Sequence, residues 1–206
     1  MSTSRRAAPL PPEVRRASII AATLPLLRTY GTAVTTAQIA MAAGISEGTL
    51  FRVFPDKESL VNASICTAFD PAPTEAAIAA IDRSLPMRDK LIAAVTVLQR
   101  RVEGVWQLMS MMGMVAPPGV NPLAPKLAPV MEALQQRVIE LFEPHRDELR
   151  CDPVQAGRAL RMMSFAGTHP RVTDGVPMTA AEIVAIVLDG VRVRADLDSE
   201  AEVSPC

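Results

Sequence analysis

Apolar residues along this chain recur three and four positions apart, the spacing that lines one face of an α-helix, and no stretch alternates as a half-buried strand requires. From about Pro12 to Tyr30, the residues Ile19, Ala22, Leu26 and Tyr30 form such a line, and Gly31 ends it. Pro25 falls inside this helix and predicts a kink. Three short helices follow, each with its own start signal. Thr35 with Gln38 three residues on is a capping box, and Ser46 and Asp56 are the next two caps. Gly44 closes the first of the three and Pro55 the second; the third runs to about Phe69, where Asp70-Pro71-Ala72-Pro73 breaks it. Further helices are predicted over about 74–82, 86–115, 126–143, 153–168 and 179–194, with "APPGVNPLAP" and "HPRVTDGVP" as loops. Asp152-Pro153 opens the helix at 153, and Thr179 with Glu182 caps the last one. Its apolar stripe is Ile183, Ile186, Val187, Gly190 and Val191. The expected fold class is all-α. Residues 1–11 are a small, polar, Pro-bearing tail expected to be disordered, 12–60 a compact N-terminal domain, 61–196 a larger helical domain and 197–206 a C-terminal tail.

Short helices joined by tight turns call for a reason. Counted from Thr36, the fourth residue is Ile39, the fifth Ala40, the eighth Ala43, the ninth Gly44, the tenth Ile45 and the fifteenth Leu50. A helix-turn-helix needs a small fifth residue where the second helix crosses, a glycine ninth residue with positive φ, and apolar residues at the others. Such a pair holds its second helix proud of the surface, where it fits the major groove of B-form DNA. Residues 46–52 would then face base edges. A plain αα corner inside a core has the same spacing, so further features matter. Ser46, Glu47, Thr49 and Arg52 on the exposed face can all hydrogen-bond. Lys57 stands in the first turn of a helix, against the macrodipole, and so suggests an anionic partner such as phosphate.

Charge supports this end of the chain. The net charge is −1, which excludes a uniformly basic coat, but residues 1–60 carry seven cations and four anions. That stretch is therefore +3 and the remainder −4. Three cysteines, Cys66, Cys151 and Cys206, with no C-x-x-C, argue against a disulfide framework or zinc site and for buried thiols in a reducing compartment. Arg5 and Arg6 precede a Pro-broken charged segment rather than an apolar one, so no secretory signal is expected. The uncharged stretch 104–125 contains four prolines and is no clean membrane helix. A cytoplasmic protein without cofactor or metal is the expectation.

The run "TTAQIAMAAGISEGTLFRVFPDKESL", Thr35–Leu60, behind a basic first helix, resembles the DNA-binding domain of the TetR family of bacterial transcriptional regulators. The resemblance covers roughly residues 12–60. It implies phosphate contacts from Thr35 and Thr36 at the start of the second helix. It implies base reading by Ser46, Glu47 and Gly48 at the tip of the recognition helix. Thr49 would face the phosphate strand, Arg52 would contact guanine, and Lys57 would bind phosphate. Leu50 and Phe54 would lock the helix into its core. Phe51, also on the DNA-facing side, stands where the family usually has a tyrosine whose hydroxyl touches phosphate. Val53 stands where a larger aromatic or a histidine is common.

For the rest of the chain the resemblance implies a ligand-binding and dimerisation domain. Helices 153–168 and 179–194 would pair with those of a second copy, aided by small residues Ala159, Ala166, Gly167 and Gly190. "VWQLMSMMGM", residues 105–114, is apolar on every face and predicts a helix buried all round. Its methionines fill an ordinary core or an adaptable pocket; the resemblance favours the pocket, with Trp106, Met109, Met112, Met163 and His169 as ligand-binding candidates. The lack of charge over 104–125 points to a small hydrophobic effector. The expectation is thus a repressor that binds a palindromic operator in double-stranded DNA as a homodimer and is released by that effector. A structural helical adaptor and a small enzyme are the alternatives. His145 and His169 are the only histidines and neither has a nucleophile or ligand partner at recognisable spacing, so no catalytic residue is assigned.

Overall fold

A computed structural model describes residues 11–111, 113 and 128–192. Arg5, Arg6, Met112, both tails' ends and the "APPGVNPLAP" loop lie outside the described residues. Among those described there is no strand, only a two-residue pairing of Leu149 with Arg192. The fold is all-α, with an N-terminal helix-turn-helix domain and a C-terminal helical domain. The helices are α1 (Pro12–Tyr30), α2 (Thr36–Ala42), α3 (Glu47–Val53), α4 (Lys57–Phe69), α5 (Ala72–Ala79), α6 (Met87–Met111), α7 (Ala128–Ile139), α8 (Pro153–Ala166) and α9 (Ala180–Val191). They fall into two compact units. One takes the described residues up to Asp70 together with those from Val105 onward in α6; the other takes Pro71–Gly104 and the chain from α7 on.

In the first unit α1 packs on α4 and α2, and α2 on α3. The core is Ile19, Leu27, Val34, Ile39, Leu50, Phe54, Leu60 and Ile65, with Leu108 from the end of α6. Pro25 sits within α1 without ending it. The buried line of α1 is Ile19, Ile20, Thr23 and Leu27, rotated from the predicted Ile19–Ala22–Leu26–Tyr30; Tyr30 is exposed. The reason lies at Thr23, whose hydroxyl donates to the Ile19 carbonyl at 2.8 Å and so can be buried at no cost in unmade hydrogen bonds. The prediction of a helix buried on all sides also fails over the described part of 105–114: Leu108 is buried, whereas Gln107, Ser110 and Met111 are exposed. Polar Gln107 and Ser110 take one face of the helix to solvent.

The chain leaves α1 through Gly31 at φ 54°, ψ −138°, a conformation closed to residues with a Cβ. A Cβ there would also lie 2.5 Å from the Met111 carbonyl oxygen. Both constraints select glycine.

The second unit buries Leu91, Ala94 and Val95 of α6, Leu134 and Val138 of α7, Ala156 and Leu160 of α8, and Ile183, Val184, Val187, Leu188 and Val191 of α9. The stripe of α9 therefore differs from the prediction: Ile186 and Gly190 face outward, and Val184 and Leu188 take the core. Gly167, predicted to ease contact with a second copy, is buried within its own chain, where a Cβ would meet Ile183 at 3.0 Å. The predicted helix 126–143 stops at Ile139, and Pro144 falls in a 3-10 turn, Glu143–Glu148. Lys90 is only 4% exposed; its ammonium lies 3.3 Å from His145 Nε2. Lysine can only donate, so the ring proton sits on Nδ1 and is donated to Glu148 at 2.8 Å. That bond is the main cause holding the Glu148 carboxyl below its ordinary pKa, aided by the charge of Arg192 at 3.8 Å. The Arg150 N–H donates to the Val191 carbonyl at 2.7 Å, closing the end of α9 onto the strand-like pairing.

Cys66 is exposed and Cys151 half-buried, and both are free; the expectation of buried thiols fails for Cys66 because it occupies the solvent side of α4. No described helix is long and apolar enough to cross a membrane.

Gly31→Ala is expected to lower unfolding stability by about 1–3 kcal/mol or more, from the strained φ and the carbonyl contact together. Gly175→Ala makes the comparison: it has φ 81° but open space around it. A denaturant titration in which Gly31→Ala loses no more than Gly175→Ala would show that the Met111 contact is unimportant.

Candidate nucleic-acid interface

The helix-turn-helix is built from local bonds. The Gln38 N–H donates to the Thr35 hydroxyl and the Thr35 N–H to Gln38 Oε1, the predicted capping box. At the far end of α2, Ile45 N–H donates to the Ala40 carbonyl and Gly44 N–H to the Met41 carbonyl, with Gly44 at φ 66°. This is the Schellman arrangement, and it turns the chain sharply into α3. Ala40 is buried, as the crossing requires. Ser46 caps α3 by accepting from the Thr49 N–H, and its hydroxyl lies 3.0 Å from that of Thr49.

Helix α3 is seven residues long, and each residue turns it by about 100°. Leu50 on it and Phe54 just after it are fully buried. The side opposite Leu50 is then Gly48 and Arg52. Glu47 and Phe51 flank that line on one side and Thr49 on the other. Exposure follows the geometry: Glu47, Gly48, Phe51 and Arg52 are exposed, while Thr49 and Val53 are partly covered. Val53 packs against the core. The Arg16 guanidinium sits 4.3 Å above the Phe54 ring, a cation–π contact that closes the core from outside.

Two contacts join elements that the sequence pattern keeps apart. The Thr36 hydroxyl donates to Glu47 at 3.2 Å, linking the starts of α2 and α3. The Lys57 ammonium donates to the Thr32 carbonyl at 2.7 Å. That second bond revises the argument for Lys57. Its cation against the macrodipole has an internal partner, so the placement alone does not require a phosphate. Neither bond has a local signature, since the partners are 11 and 25 residues apart. Asp56 caps α4 by accepting from the Ser59 N–H at 2.6 Å, and this holds its carboxyl below the ordinary value.

The ligand candidates divide between the units. Trp106 and Met109 belong to the first, Met109 packing on its core. Met163 packs on the core of the second, and the His169 ring lies 5.0 Å from that of Phe165. Met112 lies outside the described residues. Among the described residues no group of three His, Cys, Asp or Glu could hold a metal ion.

Residues 19–64 match the family model described as bacterial regulatory proteins, tetR family. No curated protein matches the chain. Among solved structures, the TetR transcriptional regulator SCO0520 from Streptomyces coelicolor is similar over 87% of this chain and 99% of its own, with 22% identity and a TM-score of 0.56. A regulatory protein in the tetR family from Rhodococcus RHA1 is similar over 87% and 98%, with 21% identity and a TM-score of 0.53. The superantigen PfiT shares the fold at 15% identity over 90% and 100%, with a TM-score of 0.60. Residues 19–64 are thus similar to the regulatory proteins of the TetR family, and the fold of the chain is TetR-like.

The depressed Asp56 carboxyl has a consequence in acid. A carboxyl with a lower pKa folded than unfolded contributes stability that is present above its unfolded value, about 4, and is lost as pH falls through the lower folded one. Asp56→Asn keeps an acceptor at the cap but does not titrate. Thermal melts between pH 6 and pH 2 should show the wild type losing more stability than Asp56→Asn; parallel curves would contradict the role of the Ser59 bond.

Proposed function

We propose that this chain is a DNA-binding transcriptional repressor that grips a palindromic operator as a homodimer. The observation that carries the reading is Gly48. It lies at the centre of the exposed line of α3, its φ is not positive, and a Cβ on it would meet nothing nearer than the Ser46 hydroxyl at 3.9 Å. Nothing among the described residues requires glycine there, and glycine in a helix costs about 0.5–1 kcal/mol relative to alanine. A bare backbone at the most outward point serves close approach to a surface outside the molecule. Arg52, next along that line, has the fork that pairs with guanine O6 and N7. Ser46 and Glu47 would read bases beside it, with the phenyl of Phe51 on the same flank. Thr35 and Thr49 would hold phosphates, Thr36 would do so through the backbone N–H at the start of α2, and Lys57 can add one with the donors that Thr32 leaves free. PfiT has the same fold under a different name, so the reading rests on this surface and on the family match, not on the fold.

The dimer reading is supported by what α8 and α9 leave uncovered. Val154, Met162 and Phe165 on α8 and Ile186 on α9 are large apolar side chains about half exposed, and Gly190 beside them has open space. A second copy would cover them and set the spacing of two half-sites. A small apolar effector fits the uncharged, methionine-bearing composition, with Met163 and His169 as its candidates in the C-terminal unit and Trp106, Met109 and Met112 as the others. Release would follow if the effector favours a state whose half-site spacing is wrong.

The test is fluorescence anisotropy on labelled DNA from upstream of the protein's own coding region, at two salt concentrations. Affinity should fall steeply with salt. Arg52→Ala should weaken specific binding by about 1–3 kcal/mol and relax preference at one position. Gly48→Ala should melt at the same or a higher temperature yet bind about tenfold or more weakly. A Gly48→Ala protein with undiminished affinity would remove the main support for this surface. An absence of any salt-dependent DNA binding would overturn the regulator reading.

A further inference from the structure

We propose that Glu47 selects cytosine in the operator, its carboxylate accepting a hydrogen bond from the N4 amino group in the major groove, with Thr36 as the positioning residue that aims it. This rests on the DNA-binding reading above and adds the base that one side chain recognises.

The sign of the charge is the starting point. A carboxylate on a surface that approaches phosphates is repelled by them, so its place there needs a compensating donor on the DNA. Glu47 is exposed, and among the described residues it has no ion-pair partner. Arg52 lies about 140° further round the helix by the 100° step and does not neutralise it. The carboxylate is instead held by a neutral group, the Thr36 hydroxyl, at 3.2 Å. A glutamate on an exposed helix otherwise samples many rotamers, and fixing it before binding reduces the entropy lost on contact. Thr36 uses one of about four acceptor positions on an ionised carboxylate, so the group arrives aimed and still able to accept.

The major groove offers few donors to such a group. Guanine presents N7 and O6, both acceptors, and thymine presents O4, also an acceptor; all three repel a carboxylate. Adenine presents the N6 donor, but with the N7 acceptor beside it. Cytosine presents the N4 donor without that neighbouring acceptor. The chemistry therefore ranks cytosine first, adenine second, and guanine and thymine last. Phe51, one turn along the same exposed flank, has no polar atom and leaves the discrimination at this base to Glu47.

The experiment is selection of bound sites from a random duplex pool with the full chain, followed by anisotropy on the selected site and its single-base variants. Wild type should select cytosine at one position of each half-site, with a preference of about tenfold over the other bases. Glu47→Gln should move that preference to adenine, because an amide both donates to N7 and accepts from N6. Glu47→Asp keeps the charge but shortens the reach, and should reduce the cytosine preference several-fold. Thr36→Val, which keeps the backbone N–H, should also reduce it several-fold. Circular dichroism melts confirm that each variant is folded. The same base preference in wild type and Glu47→Gln, or selected half-sites without a cytosine that responds to Glu47, would overturn the proposal while leaving DNA binding intact. Wild type that selects no site and binds no duplex at low salt would overturn both.

Discussion

Burial of Leu50 and Phe54 fixes the direction in which α3 presents its surface. A seven-residue helix is far below the length at which a helix persists alone in water, so α3 exists only because its apolar side is taken into the core of the N-terminal unit. With those two side chains inside, the rotation of the helix is set, and with it the identity of every exposed residue. Arg16 over Phe54 and the Schellman turn before Ser46 add to the same constraint from two sides. The exposed surface of α3 is thus determined by residues that are themselves buried.

Much of this unit was legible in the sequence because its determinants are local. Caps at Thr35, Ser46 and Asp56, the positive-φ Gly44 and the stop at Pro55 each act within a few residues, and each gave the right boundary. Rotation of the longer helices was harder to read. In α1 the periodic pattern placed Tyr30 inside and overlooked Thr23, since a hydroxyl looks polar until its bond to the carbonyl four residues back is counted. In α9 Ile186 looked like core, but the helix turns Val184 and Leu188 inward and leaves Ile186 outside. The Thr36–Glu47 and Lys57–Thr32 bonds join residues that only the completed fold brings together, and no spacing rule predicts them. For Lys57 this changed the meaning of a charge whose position had been noted correctly.

The two units also differ in how they treat charge. On α3, Glu47 and Arg52 stand on separate lines of one short helix and are exposed. In the C-terminal unit, charged residues find partners: Arg137 with Glu75 and Glu140, Arg146 with Glu143 and Asp152, and Lys90 with the His145 ring, which donates a hydrogen bond from Nδ1 to Glu148. Exposed pairs of this kind contribute little stability each. Lys90 is the exception, because an ammonium so deeply covered depends on its acceptors.

The closure between α9 and the segment before α8 bears on how the protein can be handled. Val191 accepts from Arg150, and Arg192 pairs with Leu149, so the last described residues of the chain are stitched to the C-terminal unit rather than left loose. A reporter protein or affinity tag joined beyond Arg192 leaves these bonds in place, whereas a fusion point within α9 removes core side chains such as Leu188 and Val191. A truncation point therefore lies no earlier than Arg192, rather than at the end of the helix itself.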